Sequence, residues 1–159
     1  MKKRWAIIAM LFMLAGCTAD DTFETISDEA VEPVMAAPGE TTVMLPDGAA
    51  APVLQSDDRQ MYLGEDYHIV LENHPSGDLG KTIRAMSGFE GSSLTVMKTV
   101  QGLADRYEFV WVSAAESGEQ LGRGVILDDG QYHYCMSVLR DPQSADNVWE
   151  QVFASFRLV

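Results

Sequence analysis

The 159 residues carry 24 acidic against 11 basic side chains, a formal charge of −13 at neutral pH. That balance argues against a nucleic-acid partner and against electrostatic adhesion to anionic lipid headgroups, both of which need clustered Lys and Arg. Two cysteines, at positions 17 and 135, exclude a fold stapled by several disulfides.

In chain order, Lys2, Lys3 and Arg4 form a basic head, Trp5 to Leu14 is a continuous apolar run, and Ala15, Gly16 and Cys17 close it. This is the three-part layout of a secretory signal peptide. The run is far shorter than the ~20 residues a helix needs to cross a bilayer. Its end, Leu14-Ala15-Gly16-Cys17, resembles the lipobox of bacterial lipoproteins, with Leu three positions before the cysteine and small residues between. The resemblance implies that Leu14, Ala15 and Gly16 guide a signal peptidase to the Gly16–Cys17 bond, and that the Cys17 thiol receives a diacylglyceryl group. A single acyl chain anchors only marginally, whereas two hold a protein in place. Residues 1–16 are therefore expected to be cleaved. The protein is expected to be extracytoplasmic, lipid-anchored to the cell membrane or, in a cell with two, to the outer membrane. Cleavage leaves 8 basic against 24 acidic residues, a net charge of −16. With Cys17 acylated, Cys135 has no intramolecular partner, and inside an apolar strand pattern it reads as a small buried hydrophobe.

From Thr18 to Asp58 there is no Lys or Arg, ten Asp or Glu, four of the six prolines, and Phe23 as sole aromatic. So little apolar surface does not offset the entropy of ordering, and residues 17–58 read as a lipidated cysteine followed by a disordered acidic tether. The alternative is a domain with weak strands, such as Thr41–Leu45.

Residues 59–159 then suffice for one small domain. Met61-Tyr62-Leu63 and Tyr67–Leu71 flank Gly64-Glu65-Asp66 as a hairpin, and Asn73–Gly77 reads as a turn. Asp78 caps a short helix with Leu79, Ile83 and Met86 on its apolar side, ended by Gly88. Strands follow at Leu94–Val100, Tyr107–Ser113, Gly122–Leu127 and, after the Asp128-Asp129-Gly130 turn, Tyr132–Leu139. Ala145, Val148, Trp149, Val152, Phe153 and Phe156 recur with helical period, predicting a C-terminal amphipathic helix that starts near Asp141-Pro142. The pattern predicts an α+β fold: a mostly antiparallel meander sheet packed by both helices on one face. The meander and the ending Val152-Phe153-Ala154-Ser155-Phe156-Arg157-Leu158 resemble the PsbP/Mog1-type α/β sandwich, whose domains commonly close with a helix and a Ser-Phe pair. The resemblance covers the last ~50 residues and implies a compact domain that works mainly by binding proteins.

The chemistry-bearing residues form no recognisable constellation. His133 and Cys135 lie two apart on a strand and share a face, but no CxxC, HxxxH or HExxH spacing supports a metal, so none is expected. His74 precedes Pro75 and reads as a surface position. Asp128-Asp129-Gly130 lacks the spaced ligands and closing Glu of a calcium loop. Gly122-Arg123-Gly124 lacks the Lys-Ser/Thr of a phosphate loop and marks a bulge or a close contact. No Gly-x-Ser-x-Gly elbow occurs, no catalytic residue stands out, and no cofactor is indicated. Tyr107, Phe109, Trp111, Tyr132, Tyr134, Trp149, Phe153 and Phe156 read first as core and second as an exposed patch for a protein, peptide or wall polymer. The reading is of a lipid-anchored, non-enzymatic module that binds an envelope protein or peptide. The alternatives are a cell-envelope hydrolase or lyase, or a small-ligand-binding lipoprotein.

Overall fold

The computed structural model describes residues 35–115, 118–144 and 146–159. The expected signal segment, the Leu14–Cys17 box and the acidic stretch as far as Val34 lie outside the described residues. The strands are β1 (Thr41–Thr42), β2 (Leu54–Gln55), β3 (Arg59–Leu63), β4 (Tyr67–Pro75), β5 (Val96–Gln101), β6 (Ala104–Ala115), β7 (Gly118–Asp128), β8 (Tyr132–Arg140) and β9 (Arg157–Leu158). The helices are α1 (Leu79–Ser87) and α2 (Asp146–Ser155). Strands β2 to β8 form one antiparallel sheet in the order β2-β3-β4-β8-β7-β6-β5, and β1 pairs antiparallel with β9. The fold is α+β.

The two helices lie on opposite faces of this sheet, a correction to the one-face arrangement. Along β8 the side chains alternate: Tyr134, Met136 and Val138 pack with Trp149, Val152 and Phe153 of α2. Cys135 packs with Ile83 of α1, and Phe109, Trp111 and Ile126 complete that second cluster. The sequence carries the reason. Val125-Ile126-Leu127 and Tyr134-Cys135-Met136 are unbroken apolar runs, which a strand needs when both of its faces are buried.

Helix α1 forms as its ends dictate. The Asp78 carboxylate accepts from the N–H groups of Gly80 (2.8 Å) and Lys81 (3.2 Å), and Gly88, at φ 81°, donates to the Arg84 carbonyl. At the start of α2, Asp141-Pro142 makes a turn instead of the first helical residues: the Asp141 side chain accepts from the Gln143 N–H and its carbonyl from the Ser144 N–H. Trp149, Val152 and Phe153 are buried, whereas Val148 remains 39% exposed and Phe156 buries just past the last helical residue. A buried guanidinium finishes α2. Arg106 donates to the carbonyls of Phe153 (2.8 Å) and Phe156 (3.0 Å), satisfying acceptors that a helix C-terminus leaves open.

Two further boundaries differ from expectation. The fold begins upstream of Arg59: Thr41 and Thr42 pair with Leu158 and Arg157, and Val43 and Leu45 pack on the α2-side core. The Gly39 N–H donates to the Tyr134 hydroxyl at 2.8 Å, and β2 extends the sheet beyond β3. Sparse apolar residues spaced by two are enough here because the edge of an existing core receives them. In β4, Asn73 and His74 continue the ladder in place of a turn, His74 lying opposite His133, and Pro75 ends it where its missing N–H costs little.

Candidate functional site

The densest group of chemistry-bearing side chains lies between α1 and the β4–β8 ladder. His133, fully buried, is its centre. One ring nitrogen, Nε2, faces the Asp128 carboxylate at 3.5 Å and the Ser76 hydroxyl at 3.3 Å. A carboxylate only accepts, so Nε2 carries the proton and Nδ1 is the acceptor. The Thr82 hydroxyl of α1 donates to that Nδ1 at 2.9 Å. Ser76 in turn donates to the other Asp128 oxygen at 3.1 Å. The His74 ring stands edge-on to His133, centroids 5.4 Å apart, and its Nε2 lies 3.8 Å from the Cys135 sulfur.

A hydroxyl, an imidazole and a carboxylate in sequence have the components of a nucleophilic triad, but not its arrangement. Thr82 is 6% exposed and sits under its own helix, and Ser76 and Asp128 share one ring nitrogen instead of flanking the ring. Burial lowers the His133 pKa below that of a free imidazole and outweighs the Asp128 carboxylate, which favours the cation. Burial, with the Glu72 carboxylate adding to it, pushes the Cys135 thiol far up, away from the thiolate that nucleophilic or ligand chemistry needs. His133 and Cys135 share a face, as their spacing predicts, yet among the described residues no three His, Cys, Asp or Glu side chains converge on a metal position. The group locks α1 to the sheet.

The turn at 128–130 is a hairpin turn: the Asp129 carboxylate accepts from the N–H groups of Gln131 (2.8 Å) and Tyr132 (2.7 Å) and from the Tyr134 hydroxyl (3.0 Å). Partial burial opposes ionisation there, but these bonds hold the carboxyl below its usual range. Gly122 and Gly124 make close contacts. They lie opposite Trp111 and Phe109, whose rings occupy the space a Cβ would fill.

The aromatic group is core, the first of its two readings, and not an exposed patch. Phe109, Trp111, Tyr134, Trp149, Phe153 and Phe156 are buried, and Tyr107 and Tyr132 are partly covered. One group of exposed aliphatic side chains runs along the last strand of the sheet and its neighbour: Met97, Val100 (71% exposed), Leu103, Val110 and Val112; Val53, Leu54 and Leu63 near the opposite edge, and Phe89 past α1, are exposed as well. Among the described residues strand β5 pairs on one side only, with β6, and residues 110–115 of β6 extend past its start. From Gly91 to Leu103 no Asp or Glu occurs and Lys98 is the only charge. The opposite edge is a two-residue strand beside Asp57 and Asp58.

Sequence spacing missed Thr82 and the β5 edge for different reasons. Thr82 falls at the third step of Leu79, Thr82, Ile83, Met86, a polar residue on the apolar stripe, which is the signal for a buried hydrogen-bond network. The edge depends on strand order, which local pattern does not carry.

No protein-family model matches this sequence, and no curated protein matches it.

Proposed function

We propose that this protein is a lipid-anchored, extracytoplasmic module that binds an envelope protein or peptide without catalysing a reaction. In this reading residues 1–16 are a cleaved signal peptide, Cys17 carries the diacylglyceryl anchor, and the α+β domain pairs its β5 edge with an extended segment of the partner. The observation that supports it is that edge. Unpaired backbone groups, exposed Met97 and Val100, and the absence of acidic side chains from Gly91 to Leu103 coincide in a strongly acidic chain. Natural proteins usually blunt such an edge, and strand addition uses its backbone groups for affinity and the flanking side chains for selectivity.

A photoreactive side chain at Val100 should give a discrete protein adduct in intact cells, and one at exposed Gln151 of α2 should not. Met97→Asp, which puts an acid on the edge, should abolish the Val100 adduct. Equal adducts from both positions, or none from Val100, would remove β5 as the binding edge. The anchor is tested separately: Cys17→Ser should release the protein from membranes and end fatty-acid labelling, and continued membrane fractionation would overturn the lipid assignment.

A further inference from the structure

Residues 76–95, which contain α1, form a single excursion between β4 and β5. The sheet closes without them, because β4 pairs with β8 and β5 with β6. This excursion holds to the sheet through a few apolar side chains, among them Leu79, Ile83, Met86 and Leu94. Its polar attachments are the Thr82–His133 bond, the Ser76 contacts to Asp128 and His133, and the Ser76 N–H to the Gln131 carbonyl (2.8 Å). Three of these converge on one buried imidazole or on its carboxylate partner.

The charged and titratable groups around that imidazole are few. Asp128 from β7 and Asp129 from the following turn favour its cation. His74 from β4 opposes it as soon as it carries charge itself, only 5.4 Å away between ring centroids. Glu72 lies two residues from His74 along β4, opposite Cys135 on β8, which stays a neutral thiol. From α1 only the Thr82 hydroxyl faces the ring, and the neighbouring Lys81 is exposed.

We propose that the His133 slot is a proton-operated latch: protonation of His133 on acidification releases the α1 excursion while the sheet stays folded. A second proton at Nδ1 turns the acceptor of the Thr82 hydroxyl into a donor and leaves a cation in a site with no solvent contact. The ring reaches water only when the α1 excursion lifts. Because burial lowers the pKa in the closed form, that form binds protons more weakly than the open one, so acid shifts the balance toward opening. Opening bares Phe109, Trp111, Ile126 and the Cys135 thiol, which α1 covers. This latch is independent of the β5 reading.

Cys135 supplies the readout. In the full chain carrying Cys17→Ser it is the only thiol. Its reaction rate with a pyridyl disulfide, divided by the rate in the unfolded chain at the same pH, should rise at least about tenfold between about pH 7.5 and about pH 5. Amides of β7 and β8 should keep their hydrogen-exchange protection throughout. His133→Gln should flatten the pH response. A normalised rate that does not change, an identical rise in His133→Gln, or simultaneous loss of β7 and β8 protection overturns the latch. Should His133→Gln not fold, ring titration of His133 by NMR decides. A midpoint below the ordinary ~6.5 that coincides with Cys135 opening supports the latch, and a midpoint at or above ~6.5 overturns it.

Discussion

Arg106, on β6, donates from Nη2 to the Phe153 carbonyl at 2.8 Å, so that a sheet residue finishes the last turn of α2. The same side chain reaches the Phe156 carbonyl, Gln101 and Glu108, and is only 7% exposed. Truncation to Ala takes the arginine donor from the Phe156 carbonyl, leaves the Phe153 carbonyl only the 3.4 Å bond from the Phe156 N–H, and removes one of the two arginines that pair with Glu108. We expect Arg106→Ala to cost about 2–4 kcal/mol, read as a fall in the urea midpoint at unchanged slope.

Glu108 accepts from Arg106 at 2.7 Å and Arg123 at 2.8 Å. Burial works against its ionisation, but the hydrogen bonds from Arg123 and Arg106 win and hold the carboxyl below its usual range. A carboxyl lowered in the folded state contributes stability above its unfolded pKa of ~4.3, and the contribution fades as pH falls from there through the folded value. Glu108→Gln should therefore flatten the melting temperature between about pH 4.5 and about pH 3 relative to the parent. An unchanged slope would show that the two arginines do not depend on its charge.

Trp149 and Val148 are neighbours in α2 with opposite fates. The indole is buried against the Tyr67 ring, 5.2 Å between centroids, and donates to Ser144 at 3.1 Å, whereas Val148 faces solvent. Trp149→Ala should cost ~3–5 kcal/mol and Val148→Ala within about 0.5 kcal/mol. Paired thermal melts check this, and equal shifts would contradict the placement of the helix.

Gly122 and Gly124 are the places where strand β7 lets aromatic rings of β6 lie flat on its backbone. A methyl at either position meets Trp111 or Phe109, and both rings are hemmed in by α1. Gly124→Ala should cost about 1–3 kcal/mol despite the higher strand propensity of Ala. Gly48→Ala is a control: its loop has open space, so any loss there reflects the positive φ of 79° alone.

The elements legible in the sequence are those fixed by neighbours along the chain. Asp78 and Gly88 bound α1 through their own backbone contacts, the Asp128–Gly130 turn follows from its composition, and Trp149 and Phe153 bury as helical spacing predicts. What was not legible depends on residues far apart. Val43 and Leu45 look like tether residues until β9 and the α2-side core stand beside them. His74 looks like turn material until β8 presents His133 opposite it, 59 positions later. The side of the sheet that each helix takes follows from which faces of β7 and β8 are apolar. Both are, so the sequence pattern admits a helix on either.

Strand β1 joins the end of the chain through pairs between Thr41 and Leu158 and between Thr42 and Arg157. This clasp gives the domain a mechanical fuse. A pull applied at Met35 meets the Ala36–Tyr132 and Gly39–Tyr134 bonds and these two pairs, and then the Met44–Ser155 bond and the packed side chains of Val43 and Leu45. Once all of these part, residues 35–52 become about 60 Å of extended chain before β2 and the seven-stranded sheet feel any tension. A tug at that end is thus absorbed as extension, and the sheet keeps its shape until the slack is taken up.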